Sequence, residues 1–325
     1  MRELSIGAND AGQRLDRFLG KSLPALPSAL AQKYIRLKRI KVNGRGSRRD
    51  VRLQQGDTLQ LYIDDAFFAE PEAVPGFLDR FVPHLRVVYE DENLLLADKR
   101  PGQSVHTDET EKVDTLIHHI QAYLYQRGEW DPGRENAFAP ALCNRIDRNT
   151  GGIVLAAKNA EALRILNGKI RAHEIEKTYL CITVGRPKPA QGTITGFLRK
   201  DEDRRQVTFY RHPVPGGRSA ATRYRTLETR GELSLVECGL LTGRTHQIRA
   251  SMAEMGCPLL GDGKYGRGDV NRRYHESRQA LYAYRVTFDF PTDAGILNYL
   301  RGRSFEVEKV PFREKYFSLT YPPRR

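Results

Sequence analysis

The apolar residues of this chain come in short runs set between turn formers, and that pattern limits the folds open to it. Leu94-Leu95-Leu96-Ala97 is followed by Lys99-Arg100-Pro101-Gly102, and Ile153-Val154-Leu155-Ala156-Ala157 follows two glycines. Runs of this length suit strands buried on both faces. Further strand patterns lie at Tyr179 to Val184, Ala221 to Leu227 and Leu233 to Leu241. Between them, a helix is expected from Thr115 to about Tyr125. Asn159 is placed to cap another, carrying Leu163, Leu166 and Ile170. Glu129 to Pro140 reads as a long loop. The pattern predicts an α+β domain with a mixed, mostly antiparallel central sheet.

The N-terminal part reads as a small separate unit. Leu15, Phe18 and Leu19 have helical spacing. A second helix is expected with Ser28 as its N-cap and Leu30, Tyr34 and Leu37 on one face. Ile40-Lys41-Val42 then enters an Asn43-Gly44 turn, a pair that favours positive φ. Alternation at Val51 and Leu53, and at Leu59, Leu61 and Ile63, adds strands. The expected division is 1–65 for this unit, 66–85 for a linker containing Pro71, Pro75, Gly76 and Pro83, and 86–325 for the large domain.

Charge bears on partners. The 325 residues carry a formal net charge of +13. Residues 31–52 hold nine basic side chains against the single acid Asp50, with Lys33, Arg36 and Arg39 on or just after the second helix. So one-sided a patch points to a polyanion, whose counterions it would release. No apolar run approaches the ~20 residues that span a bilayer. The first residues lack a signal-peptide core, so a cytoplasmic protein is expected. Cys143, Cys181, Cys238 and Cys257 have neither disulfide-framework nor zinc spacing, and no metal or cofactor is expected.

Two segments carry chemistry. In Asn144-Arg145-Ile146-Asp147-Arg148-Asn149-Thr150-Gly151-Gly152 a carboxylate sits between two arginines, ahead of a buried strand. Cations favour an ionised carboxylate, which can act as nucleophile or base. The same segment fits a structural ion pair on a loop. In Gly243-Arg244-Thr245-His246-Gln247-Ile248-Arg249, Thr245 is expected to cap a helix that Gly256 ends. Arg244 and Arg249 could meet an anion at its N-terminus.

Together these segments resemble the RluA-type pseudouridine synthases, which modify large-subunit ribosomal RNA and some tRNAs. Lys177-Thr178-Tyr179 matches a family lysine-x-tyrosine element. Residues 243–249 match Gly-Arg-Thr-His-Gln-Ile-Arg without change. Gly256 to Asp262 with Tyr265-Gly266 match a downstream element. Two departures stand out: Asn144 replaces the family histidine, and Gly151 its serine. The N-terminal pattern of Arg14 to Leu19, Ile40 to Gly44 and Gly56-Asp57 resembles the S-four RNA-binding domain.

The resemblance implies isomerisation of uridine to pseudouridine in structured RNA, with large-subunit rRNA expected and tRNA the alternative. It implies Asp147 as the catalytic carboxylate, attacking the anomeric carbon or taking a ribose proton. Arg249 is its ion-pair partner, and Tyr179 stacks on the uracil and is a candidate to take its C5 proton. Ile248 lines the pocket, and Arg145 fills the space of the flipped base. Arg148, Arg244, Lys33, Arg36 and Arg39 contact phosphates.

Two rivals weigh less. A non-catalytic RNA-binding assembly factor need not keep Asp147, Tyr179 and Arg249. A glycoside hydrolase usually needs a second acid beside the bond. Gly261-Asp262-Gly263-Lys264-Tyr265-Gly266 fits a dinucleotide glycine pattern without its preceding strand, and no nucleotide is expected there. His118-His119 do not share a helix face and make a poor metal pair.

Overall fold

The structure, a computed structural model, describes residues 1–68, 77–201 and 206–317. The part of the expected linker at 69–76 lies outside the described residues. The N-terminal elements are β1 (Arg2–Ser5), α1 (Leu15–Ser22), α2 (Ser28–Arg36), β2 (Ile40–Val42), β3 (Arg45–Gly46) and β4 (Thr58–Leu61). The strands form a sheet in the order β1-β4-β2-β3. Leu15, Phe18 and Leu19 pack on Ile35, Ile40, Leu59 and Leu61 in a core of their own. Asn43 and Gly44 take positive φ at the β2–β3 turn.

Two details of α2 correct the sequence reading. Ser28 is the first helical residue and Pro27 occupies the N-cap position. The buried face is Ala31 and Ile35, whereas Leu37 is 52% exposed. Spacing alone could not choose between neighbouring stripes one residue apart.

The larger unit begins with α3 (Phe77–Arg80), β5 (Val87–Glu90), β6 (Leu94–Lys99), α4 (Leu116–Gln126), β7 (Ala141–Leu142), β8 (Gly151–Ala157) and α5 (Ala160–Arg171). It continues through β9 (Ile175–Val184), β10 (Gln191–Asp201), β11 (Gln206–Tyr210), β12 (Arg218–Arg230) and β13 (Leu233–Leu240). It ends with α6 (Gln247–Glu254), α7 (Gly268–Arg273), β14 (Leu281–Phe288), β15 (Ser304–Glu306) and α8 (Pro311–Phe317). An 11-stranded sheet runs β11-β10-β12-β13-β9-β14-β8-β6-β5, with β15 beside β14 and β7 beside β8. The β14–β8 pair is parallel and the other described ladders are antiparallel. This is the expected mixed, mostly antiparallel α+β architecture.

Both apolar runs became strands. Every residue of β8 is buried, with Leu155 and Ile153 facing one core cluster and Val154 and Ala156 the other. α5 starts where Asn159 Oδ1 accepts the Ala162 N–H at 2.8 Å. Residues 77–85 pack along α4: the His84 N–H donates to His119 Nδ1 at 2.9 Å, and Gln126 Nε2 reaches the Leu78 and Phe81 carbonyls. The two units touch through polar groups. Asn9 Oδ1 accepts the Ala160 N–H at 3.0 Å, and Asn136 Nδ2 donates to Ser5 O and Asp10 Oδ2. Among the described residues, no helix is long and apolar enough to cross a membrane.

The parallel step brings Gly151 and Gly152 against Tyr282 and Ala283. Gly152 has φ +109°, and a Cβ there would lie 2.2 Å from the Ala283 carbonyl oxygen. Gly168, inside α5, has nothing within 4 Å of an added Cβ. Gly152→Ala should therefore cost about 3 kcal/mol or more in urea unfolding, through overpacking and strain. Gly168→Ala should gain about 0.5–1 kcal/mol through helix propensity.

Candidate active site

A cleft of about 830 Å³ is bordered by the 144–150 loop, β9 and the start of α6. The loop is fixed at several points. Asn144 Oδ1 accepts the Leu155 N–H at 2.8 Å, and the Thr150 N–H donates to Asp147 O at 3.0 Å. Lys99, fully buried at the end of β6, donates to the carbonyls of Arg100, Gln103 and Arg148 at 3.0, 2.8 and 2.9 Å. Burial pulls its pKa down to about 7, against the pull of Asp147 and Asp98. Three acceptors match the three N–H groups of the ammonium form.

Arg249 lies on the first turn of α6 and is buried. Its Nε and Nη2 donate to the two oxygens of Asp262 at 2.7 and 2.9 Å, and its Nη1 donates to Asp147 Oδ2 at 2.8 Å. Burial opposes the Arg249 charge, but Asp262 and Asp147 outweigh it and raise its pKa. Burial likewise opposes the Asp262 charge, yet Arg249 and the Lys264 and Tyr265 N–H groups hold its pKa below the ordinary value. Tyr179 lines the cleft from β9, buried; burial, then Asp147, push its phenol pKa up. Ile248 is buried in the same wall.

The local sequence reading of the arginines needs correction. Neither neighbour pairs with Asp147; the partner is Arg249, 102 positions away. Arg148 turns to the preceding loop, donating to Gly102 O at 3.2 Å and Thr110 Oγ1 at 3.0 Å. Arg145 is exposed at the cleft. Arg244 Nε donates to Ser219 O at 3.1 Å. Lys33, Arg36 and Arg39 are exposed on the N-terminal unit and do not line the cleft. Thr245 is not the helix cap: His246 holds that position with φ +53°, and Gln247 Oε1 accepts the Arg244 N–H at 3.0 Å. Gly256, with φ +75°, follows the helix end as expected.

Sequence reasoning missed three contributors. Asp262 stood inside a glycine pattern set aside as a decoy, although its place in a family element was the available signal. Lys99 looked like a loop cation. His246 was read only as part of a helix start. Its Nδ1 lies 2.9 Å from Tyr265 Oη, which accepts the Val207 N–H at 2.8 Å, and its Nε2 lies 3.8 Å from Asp147 Oδ2. Burial lowers the His246 pKa and favours the neutral ring. The departures also have local causes. A Cβ on Gly151 would sit 2.3 Å from the Tyr282 ring, whose Oη donates to Asp98 at 2.7 Å. Asn144 uses its carbonyl on β8 and leaves Nδ2 buried without a partner. No metal-binding cluster occurs among the described residues.

A carboxylate gripped by a buried arginine, opposite a buried tyrosine in an open basic cleft, suits an enzyme acting on a nucleic-acid base. Comparison with known proteins identifies which kind. Residues 93–254 match the RNA pseudouridylate synthase family model. An uncharacterized RNA pseudouridine synthase of Chloroflexus aurantiacus is 34% identical over 87% of this chain and 84% of its own. Ribosomal large subunit pseudouridine synthase C of Vibrio vulnificus is 29% identical over 94% of each. The human RNA pseudouridylate synthase domain containing 1 shares the fold, with a TM-score of 0.53 at 19% identity over 75% of this chain and 98% of that one. The chain belongs to the RNA pseudouridine synthase family and is a pseudouridine synthase of the RluA type.

Asp262→Asn breaks a buried pair and should cost about 3–5 kcal/mol. The sign of its pH dependence follows from the lowered pKa. The wild-type contribution is present above the ordinary carboxyl value of 3.8 and is lost as pH falls through the lower folded value. Unfolding measured from pH 7 down to 2 should show the variant losing less stability than wild type in that acid window.

Proposed function

We propose that this enzyme isomerises specific uridines in large-subunit ribosomal RNA, with Asp147 as the catalytic carboxylate. The observation that carries this is the Arg249–Asp147 ion pair at 2.8 Å, which presents a carboxylate to the cleft beside Tyr179 and Ile248. The bond from ribose C1′ to uracil N1 breaks, the uracil turns while bound, and C1′ bonds to C5. The C5 proton leaves and N1 gains one, so no redox partner or nucleotide energy is consumed. Asp147 serves either by attacking C1′ or by taking a ribose proton.

Tyr179 supplies the face on which the uracil stacks. Burial and Asp147 raise its phenol pKa, so for Tyr179 also to take the C5 proton its own proton must first leave. The target must leave its helix to reach this depth, at a cost of a few kcal/mol. Arg145, exposed at the cleft, is suited to fill the vacated stack, and Arg148 and Arg244 to meet phosphates. Residues 1–65 act as an S-four-like RNA-binding domain, with Lys33, Arg36 and Arg39 on phosphates, and 86–325 as the catalytic domain. The large-subunit substrate is supported by the relatives named for it and by the basic N-terminal unit.

The test is pseudouridine mapping on RNA from host cells lacking the gene, complemented by wild type or Asp147→Asn. A large-subunit site restored by wild type alone is expected, with Asp147→Asn slowed by about 10⁴-fold or more in vitro. A site lost only in tRNA overturns the substrate, and full restoration by Asp147→Asn overturns the catalytic role.

A further inference from the structure

The cleft holds a cation that the chemistry above leaves unused. Lys177 lies two residues before Tyr179 on β9, and both side chains line the cleft. Glu176 and Thr178, between and beside them, line a different cavity of about 510 Å³. The alternation fixes Lys177 on the substrate side of the strand. Three of the other cleft cations are committed within the protein, Arg249 to two carboxylates, Arg148 to the 102–110 loop and Arg244 to Ser219, while Arg145 is exposed. The Lys177 side chain has no hydrogen bond or ion pair among the described residues. A partly buried ammonium with no counter-ion is unfavourable, and an arriving anion relieves that cost.

Position narrows the anion. Same-face residues on a strand lie about 6.7 Å apart, so Lys177 stands one step along from the ring on which the base stacks. Asp147 acts on the Tyr179 phenol, whereas burial is the sole influence on the lowered Lys177 pKa. Lys177 and Tyr179 thus share one wall of the cleft, a strand step apart on β9. At about 830 Å³ the cleft is near the upper end of small-ligand pockets, with room for more than one flipped nucleoside.

We propose that Lys177 forms a second subsite of the cleft, binding a backbone phosphate of a nucleotide that flanks the flipped uridine. This rests on the reading of the cleft as the uridine site. Lys177 is on this account a binding residue, outside the bond-making steps.

The test uses the full-length enzyme and bulk RNA from cells lacking the gene, tritiated at uracil C5. Tritium is released as pseudouridine forms, so the target need not be known. Lys177→Gln should raise KM roughly ten- to hundredfold, the range of a charge-assisted hydrogen bond, with kcat within about twofold. The slope of log KM against log salt should fall by about one, and Lys177→Arg should restore KM. A fall in kcat at constant KM would place Lys177 on the base and overturn the proposal, as would unaltered KM and slope.

A second measurement is independent of turnover and of the Gln variant's folding. Pentauridylates with one linkage at a time made neutral as a methylphosphonate are titrated against wild type and Lys177→Arg. One linkage should dominate wild-type binding, and Lys177→Arg should keep that dependence; no dominant linkage overturns the subsite. Wild type that releases no tritium while one linkage still dominates would overturn the uridine reading and leave the anion subsite standing.

Discussion

One guanidinium organises the floor of the candidate site. Arg249 spends two of its donors on Asp262 and has a third left for Asp147, so three distant segments meet on one rigid plane. The fork geometry of arginine makes this possible, and a lysine could not span both carboxylates in fixed directions. Asp262 is itself held by the Lys264 and Tyr265 N–H groups. The position of Asp147 is thus set through Arg249 by the 262–265 turn, whose Gly263 and Lys264 also line the cleft. Burying one arginine between two carboxylates is costly in isolation. It is tolerable here because Asp147 is only partly buried, keeping access to solvent and ligand.

The sheet supplies the second constraint. β8 and β14 run parallel for two residues, and only glycines at 151 and 152 let the backbones approach that closely. That contact lies directly after the 144–150 loop, so the loop enters the sheet at a fixed height. Lys99 then ties the Arg148 carbonyl to the adjoining 100–103 turn. The carboxylate is positioned by backbone hydrogen bonds on one side and by Arg249 on the other. Side-chain freedom around Asp147 is correspondingly small, as a pre-organised site requires.

Much of this was legible in the sequence, and what was not has physical causes. β6, β8, β9 and β13 are pattern-strong strands whose apolar runs reflect burial on both faces. Asn159 was readable as a cap because its side chain closes a local ring. β10 and β11 carried a weaker signal: apolar Ile194, Leu198, Val207 and Phe209 are spread among polar residues, and they become strands by pairing with β12 and with each other. The caps of α2 and α6 were misplaced by one residue because Ser28 and Thr245 offered suitable side chains that neither helix uses. The charge reading around Asp147 failed for a deeper reason. Arg148, next in sequence, is drawn off to Gly102 O and Thr110 Oγ1, and Arg145, two residues before Asp147, stays exposed at the cleft. The pairing with Arg249 is tertiary, and only the family motifs hinted at it.

The contact between the two units bears on how an RNA would be read. Asn9 completes the first turn of α5 by accepting the Ala160 N–H, and Arg164 donates back to Ala11 O. These are directional polar bonds, which fix orientation better than a smooth apolar patch of equal size would. The basic helix α2 and the cleft are then carried on one frame. On the proposed function, phosphates held by Lys33, Arg36 and Arg39 stand at a set separation from the flipped uridine. Sequence at the target would matter less than the RNA fold that places a backbone stretch and an extrudable uridine at that spacing. A duplex of the right sequence but wrong shape would satisfy the basic patch without delivering a base to Asp147. Selectivity would then arise from geometry between two sites, each weakly discriminating alone.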